Sequence, residues 1–167
     1  DTLYLIRSEK EEFYLHLEFQ QIYEDYLPAR MNEYAARIYN EFHLPVKTVM
    51  IFLNTSPSIR NLEELCRYEV GGIVLNEFRY SKIILPELHW KDILDLNLSV
   101  LLPLIPLAKI EKGEEEKALE ATVAKIKKIK ESPHRGELAA ILYLICGYRY
   151  PKALKQLMGE QLMKDLM

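Results

Sequence analysis

A carboxylate and an amide two residues apart, Glu18 and Gln20, are the first side chains in this sequence with a clear capacity for chemistry. Alternate residues of a β-strand share a face, so both would project together, beside His16. Carboxylate oxygens are preferred ligands of hard cations such as Mg²⁺, and an amide can position a water that the cation retains. The spacing predicts a divalent-cation site, and the alternative is a polar strand face that only contacts solvent.

The segment around these residues has the two-residue period of a β-strand. Its apolar side chains share one face and are Phe13, Leu15, Leu17 and Phe19. We expect this apolar face to pack in the core and the opposite face to carry the chemistry. His16 could handle protons beside Glu18, and a structural or exposed histidine is the alternative.

A second strand is predicted directly before this one. Residues 2–7 are rich in strand formers, and the polar, charged residues that follow are typical of a hairpin turn. In an antiparallel hairpin the start of the first strand lies beside the end of the second. Asp1 is therefore expected near Glu18, which would bring a second carboxylate to the candidate cation site.

A helix is predicted over residues 26–42, because a proline is tolerated in its first turn and another follows its end. Its expected buried stripe consists of Met31, Ala35, Ile38 and Phe42. Arg30, Tyr34 and Arg37 share a different face at helical spacing. Two arginines and a tyrosine could hold a phosphate backbone, and the alternative is a solvated helix face.

A run of apolar and β-branched residues over 46–53 predicts a central strand that is covered on both faces. A loop is expected over residues 54–61. Further strand patterns occupy residues 67–70 and 73–85, joined by a Gly-Gly turn, with a bulge or exposed edge expected at residues 78–82.

The pattern becomes helical from residue 89 onwards. Helices are expected at about residues 90–96, 115–131, 135–146 and 152–166. We therefore predict an α/β fold, with a mixed central β-sheet flanked by helices and a C-terminal helical segment.

The composition is that of an ordinary globular protein, with 49% hydrophobic and 28% charged residues among 167. A formal net charge of −3 gives no general attraction for nucleic acid, so any phosphate-binding surface has to be a local patch. Cys66 and Cys146 are isolated, which favours a reducing, cytoplasmic setting. The most apolar run, residues 98–108, is interrupted by prolines and too short to span a bilayer, so no membrane partner is expected.

Several long stretches of the sequence resemble one nuclease family. They read DTLYLIR, YLHLEFQQ and LPARMNEYAARIYNEFHLPVKTVMIFL, followed by FRYSKIILPEL and LLPLIPLAK. These stretches are similar to the Rpn-type recombination-promoting nucleases and putative transposases, a branch of the PD-(D/E)XK nuclease superfamily. The resemblance implies a restriction-endonuclease-like domain over residues 1–108 that lacks the usual first helix, with residues 109–167 as a helical extension.

The resemblance also implies roles for particular residues. Asp1 and Glu18 would hold Mg²⁺ or Mn²⁺ together with the backbone carbonyl of Phe19. Gln20 stands where the superfamily pattern has a lysine, and it would orient the attacking water without supplying a positive charge. The Arg-x-x-x-Tyr pattern of the family falls on Arg30 and Tyr34, and Arg30 would contact phosphate, with Arg37 on the same helix face.

The expected function is metal-dependent endonucleolytic cleavage of DNA, linked to recombination or transposition, with a homo-oligomer as one assembly option. One alternative is a catalytically silent interaction module that keeps the nuclease fold. The absent first helix, the acidic net charge and the absent lysine favour that alternative. The other alternative is an inactive fragment of a longer, active nuclease.

Overall fold

A computed structural model describes residues 2–130 and 132–151, apart from the side chain of Ser132. Internal contacts divide the chain into two compact units, with the division between Leu85 and Pro86. The strands are β1 (Thr2–Arg7), β2 (Glu12–Gln20), β3 (Val46–Phe52), β4 (Leu65–Val70), β5 (Ile73–Arg79) and β6 (Ser81–Ile84). The first two α-helices are α1 (Leu27–Phe42) and α2 (Pro57–Asn61).

The central sheet has four strands in the order β1-β2-β3-β6. β1 and β2 form an antiparallel hairpin in which Thr2 pairs with Leu17 and Arg7 with Glu12. β3 is parallel to both of its neighbours, β2 and β6. The predicted α/β fold with a mixed sheet is thus confirmed, including the hairpin and the central position of β3.

Helix α1 joins the parallel strands β2 and β3 and packs on the central sheet. Pro28 lies in its first turn, and the helix ends at His43, which adopts a left-handed conformation and donates its N–H to the carbonyl of Tyr39. Met31 and Ala35 of the predicted stripe are buried, whereas Phe42 is 39% exposed. The core cluster of the first unit consists of Leu27, Met31, Met50, Phe52, Ile59 and Tyr80.

The polar face of β2 lies beneath α1. His16 and Glu18 are buried, whereas Phe19 on the opposite face is 40% exposed. The prediction that the apolar face of β2 is the core face was therefore wrong. The physical reason is that α1 supplies matching groups, because Arg30 pairs with Glu18 and the ring of Tyr34 packs edge-on against His16.

A two-stranded hairpin, β4–β5, forms a second sheet in the first unit. Its turn contains Gly71 and Gly72 at φ values of 59° and 79°, which a residue with a Cβ rarely adopts. The bulge or exposed edge predicted at residues 78–82 corresponds to a change of sheet at Tyr80, because β5 pairs with β4 while β6 pairs with β3 and forms an edge of the central sheet. Tyr80 is buried there, and its hydroxyl donates to the carbonyl of Glu63.

The loop predicted for residues 54–61 contains the short helix α2. Ser56 caps this helix by accepting the N–H of Ile59 at 3.2 Å, and Pro57 occupies its first turn. Ile59 is buried in the core. Sequence patterns missed α2 because a helix this short shows too few residues for a period to be visible.

The second unit is helical. It contains α3 (Trp90–Asp95), a 3₁₀ helix over Ser99–Leu107, α4 (Glu115–Lys127) and α5 (Ser132–Arg149), and a short 3₁₀ turn over Leu85–Glu87 precedes it. The 3₁₀ helix buries Leu102 and Ile105 and contacts α3, α4 and α5. The division between the two units therefore lies before residue 108, the predicted end of the nuclease-like domain. The reason is that the 3₁₀ helix packs with the helices of the second unit.

The helix predicted over residues 152–166 lies outside the described residues. Within the described ranges, no helix combines the length and the apolar character needed to cross a membrane.

Candidate functional site

Three of the predicted site residues meet where β2 ends. The amide of Gln20 donates to Oε1 of Glu18 at 2.7 Å, and Nη2 of Arg30 lies 3.4 Å from the same oxygen. Nη1 of Arg30 also lies 3.3 Å from Oε2 of Glu24. Arg30 is therefore held between two carboxylates of the protein. The sequence had predicted that its guanidinium contacts a phosphate.

Two buried atoms of this group have no hydrogen-bond partner within the described part of the chain, Oε2 of Glu18 and Nε of Arg30. The Glu18 side chain is only 10% exposed. An unpaired buried polar atom costs roughly 1–3 kcal/mol, so native proteins retain few of them. One of the two atoms is an acceptor and the other a donor, which fits a cation beside Glu18 together with an anionic oxygen beside Arg30.

The backbone carbonyl of Phe19 is a third oxygen at this site. The carbonyl of Gln20 accepts the N–H of Leu53, so the backbone groups of Gln20 point to β3. Successive residues of a strand alternate in this direction, so those of Phe19 point to the β1 side. The first described residue of β1, Thr2, pairs with Leu17. The carbonyl of Phe19 is therefore directed to the β1 side of the sheet, beyond the last described pair of the hairpin.

His16 lies on the other side of Glu18. Its Nε2 is 3.8 Å from Oε2 of Glu18, and its Nδ1 is 3.5 Å from the hydroxyl of Thr48. Burial lowers the pKa of His16, although the charge of Glu18 opposes this shift. The imidazole is therefore biased towards its neutral form, which leaves Oε2 of Glu18 without a competing positive charge from this ring.

Two open clefts border the site. The strand cleft, with a volume of ≈ 340 Å³, is lined by Thr2, Leu3, His16, Tyr34, Arg37 and Ile38. The hairpin cleft, with a volume of ≈ 510 Å³, lies between α1 and the β4–β5 hairpin, and its lining includes Tyr26, Arg30, Asn32, Glu33, Tyr68 and Asn76. Since His16 lines one cleft and Arg30 the other, the Glu18 carboxylate lies between side chains of both.

The other predicted site residues have different positions. Asp1 lies outside the described residues. Tyr34 and Arg37 both line the strand cleft. Arg37 is exposed and pairs with Glu33 on the same helix, so it contributes little net positive charge.

Two residues of the site were missed by sequence reasoning, Glu24 and Thr48. Glu24 lies in the connection between β2 and α1, where no period marks a functional residue. Thr48 reads as part of an apolar strand, and only its burial beside His16 reveals a polar role. No sequence signal distinguishes either residue.

The second unit contains a separate group of potential metal ligands, His89, Glu111 and Glu114, whose ligand atoms lie within 4.8 Å of one another. Nδ1 of His89 accepts the N–H of Lys91, so Nε2 carries the hydrogen that reaches Glu111 at 2.9 Å. A metal-bound histidine needs the reverse, a free electron pair towards the metal and an N–H on the other nitrogen. Hydrogen bonding within the protein therefore accounts for this group.

Fold and site together define an α/β protein with a buried carboxylate, an amide and a guanidinium at the end of one strand. No family model, no curated protein and no solved structure matches this chain. The resemblance of the sequence to Rpn-type nucleases thus stays a prediction.

Proposed function

We propose that this protein is a metal-dependent DNA endonuclease of the Rpn type, with a restriction-endonuclease-like core in its first unit. The observation that carries the proposal is the pair of unpartnered buried atoms, Oε2 of Glu18 and Nε of Arg30. An unpaired acceptor on Glu18 and an unpaired donor on Arg30, two residues that contact each other, suit a divalent cation bound next to a phosphate. The mixed sheet, with Glu18 near the end of its second strand, agrees with the expected fold.

Different residues of the site would bind the cation and contact the substrate. Glu18 and the carbonyl of Phe19 would bind Mg²⁺ or Mn²⁺, with Asp1 as the further ligand that the family resemblance implies. When bound, such an ion lowers the pKa of a coordinated water and stabilises charge on the scissile phosphate. Gln20 donates its N–H to Glu18, so its amide oxygen is left to accept a hydrogen bond from the attacking water.

Arg30 would provide the contact with phosphate. Its two terminal nitrogens face Glu18 and Glu24, and its Nε–H and the second N–H of each terminal nitrogen are donors that remain for a phosphate oxygen. Glu24 fixes the guanidinium in place while Nε remains unpaired. A charge-assisted hydrogen bond of this type is about twice as strong as a neutral one.

A silent module with the nuclease fold is the second candidate, and one observation favours it. Arg30 already lies 3.4 Å from Glu18, so the buried carboxylate has a positive partner without any metal ion. In an active enzyme this contact has to give way when a cation binds at Glu18. In a silent module it would be permanent.

Cleavage of supercoiled plasmid DNA in Mg²⁺ or Mn²⁺ tests the proposal. We expect the parent chain to nick the plasmid, EDTA to stop the reaction, and Glu18→Gln to slow it by more than about 100-fold, because even outer partners of metal ligands contribute about 10- to 100-fold. Glu12→Gln is the matched control, since Glu12 lies on the same strand but is exposed and pairs with Arg7. This control should cleave like the parent.

Equal cleavage by Glu18→Gln and the parent would overturn the site. Cleavage by neither protein, with Glu12→Gln also inactive, would favour the silent module.

A further inference from the structure

The hairpin cleft presents aromatic and amide groups directly beside the Glu18 site. Its volume of ≈ 510 Å³ lies within the range of roughly 300–1,000 Å³ that is usual for ligand clefts. Tyr26 lines it from the start of α1, Tyr68 from β4 and Asn76 from β5. All of these residues belong to the first unit.

The two tyrosine rings are available for stacking. Tyr26 is 58% exposed and Tyr68 is 44% exposed. The Tyr26 ring has its position fixed on one side, because the Arg30 guanidinium lies 5.6 Å from the ring centroid. Unpaired nucleic-acid bases stack on exposed aromatic rings of this kind, whereas paired bases keep their faces inside the duplex.

The charges in the cleft leave stacking as the main source of affinity for a nucleic acid. Arg30 is paired with Glu18 and Glu24, and Glu33 is paired with Arg37, so the lining carries no excess of positive charge. Single strands and duplexes both gain from neutralisation of their phosphates, which this lining does not provide, so binding here depends on stacking, and only unpaired bases offer their faces for stacking. The amides of Asn32 and Asn76 can donate to and accept from base edges.

Arg30 connects this cleft to the proposed chemistry. It lines the cleft and at the same time lies 3.4 Å from Glu18. A nucleotide whose base stacks on Tyr26 would therefore have its backbone close to Arg30.

We propose that the hairpin cleft binds unpaired nucleotides of a DNA strand next to the Glu18 site, which makes the substrate class DNA with a single-stranded segment. The inference rests on the proposed nuclease function for the identity of the polymer. The cleft itself, its tyrosines and its charges are independent of that function.

Fluorescence anisotropy in EDTA tests the inference without any cleavage. The probes are a labelled oligothymidylate and the same strand annealed to oligoadenylate. We expect the single strand to bind more tightly than the duplex, and Tyr26→Ala or Tyr68→Ala to weaken that binding by roughly 5- to 100-fold, as the loss of one stacked base predicts. Tyr26→Phe and Tyr68→Phe keep the ring and should bind like the parent.

Tyr39→Ala is the matched control, because Tyr39 lies on the same helix α1, is 53% exposed and does not line the cleft. If Tyr68→Ala fails to fold by circular dichroism, Tyr68→Thr replaces it, since threonine is a good strand former.

The inference is overturned if both alanine variants bind the single strand as tightly as the parent, if the duplex binds more tightly, or if the parent binds neither probe. Its failure is distinguishable from failure of the nuclease. If nicking depends on Glu18 but binding does not depend on the tyrosines, only the proposal for the hairpin cleft is overturned. If binding depends on the tyrosines but no nicking occurs, only the proposal of catalysis is overturned.

Discussion

Glu18 is a buried carboxylate with unequal oxygens. Oε1 accepts from Gln20 and faces Arg30, whereas Oε2 has no hydrogen-bond partner among the described residues. Removing a carboxylate from water is costly unless its charge is compensated. A protein that keeps one oxygen unpaired in this position gains from a ligand there, which is the physical argument for cation binding at Glu18.

Binding of Mn²⁺ should therefore stabilise the protein through Glu18. A ligand that binds only the folded state adds about 3 kcal/mol at a concentration 100 times its dissociation constant. We expect Mn²⁺ to raise the melting temperature of the parent and of Glu12→Gln, and to have no such effect on Glu18→Gln, as measured by thermal unfolding. An equal rise in all three proteins would show that the ion binds elsewhere.

At this scale the sequence predicted part of the site. The strand period put Glu18 and Gln20 on one face, and the helix that follows carried Arg30 to them. Glu24 could not be predicted, because a residue in a connection acquires its partner only when the flanking elements pack. The pairing of Arg30 with carboxylates likewise depends on the distance between α1 and β2.

The polar face of β2 illustrates the limit of periodicity for whole elements. A two-residue period states which side chains share a face, but it does not state which face a helix will cover. Here α1 covers the face with His16 and Glu18, and Phe19 is left exposed on the other. The apolar pattern predicted the strand correctly but indicated the wrong face as the buried one. The reason is that α1, which covers the other face, carries polar side chains that pair with those of β2.

Helix α5 permits a matched test of packing in the second unit. Leu142 is 1% exposed and Leu144, two residues later on the same helix, is 70% exposed. Truncating a buried leucine to alanine costs about 2–5 kcal/mol, whereas exposed positions usually change by less than about 0.5 kcal/mol. In urea unfolding followed by the fluorescence of Trp90, we expect Leu142→Ala to lower the midpoint clearly and Leu144→Ala to leave it nearly unchanged. Equal effects would contradict the orientation of α5.

The contact between α3 and the start of α4 has a pH dependence that the single tryptophan can report. The indole N–H of Trp90 donates to Glu114 at 3.3 Å, and this hydrogen bond, with the charge of Lys91, lowers the pKa of Glu114. A carboxylate with a lowered pKa in the folded state stabilises that state above its unfolded pKa of about 4.3 and loses this contribution as the pH falls through the folded value.

We therefore expect the emission of Trp90 to change at a pH below about 4.3, where Glu114 takes up its proton in the folded protein. Glu114→Gln should lose this acidic transition. His89 stacks on Trp90 in both proteins, so any signal from that ring is common to them. Persistence of the acidic transition in the variant would assign it to another group.

For the whole molecule, internal contacts divide the chain between Leu85 and Pro86, whereas the resemblance places a domain boundary at residue 108, which stays a prediction. The proline-interrupted stretch at residues 99–107 was apolar enough to be placed with either part. Its buried residues Leu102 and Ile105 contact the helices that follow, and such long-range packing leaves no local sequence signal. The fold class was predictable because each strand and long helix had a clear period; the grouping of elements depended on packing.

The outer face of the β4–β5 hairpin has a consequence for how the protein behaves in concentrated solution. Val70, Ile73 and Leu75 are each 66% exposed, and both strands of a two-stranded sheet have an open edge. Exposed edge strands with a low net charge are the usual starting points of aggregation, and the four charged residues of this hairpin sum to zero. The hazard should be greatest near the isoelectric point of about 5.9, where repulsion between molecules vanishes.

We expect light scattering to increase with time near this pH and Leu75→Lys to suppress the increase. Leu96→Lys adds the same charge at a 58% exposed position of the second unit, outside any strand, and should protect less. Equal protection by both would trace the effect to net charge. Because of this exposed hairpin, we expect the protein to be stored best at a pH well above its isoelectric point.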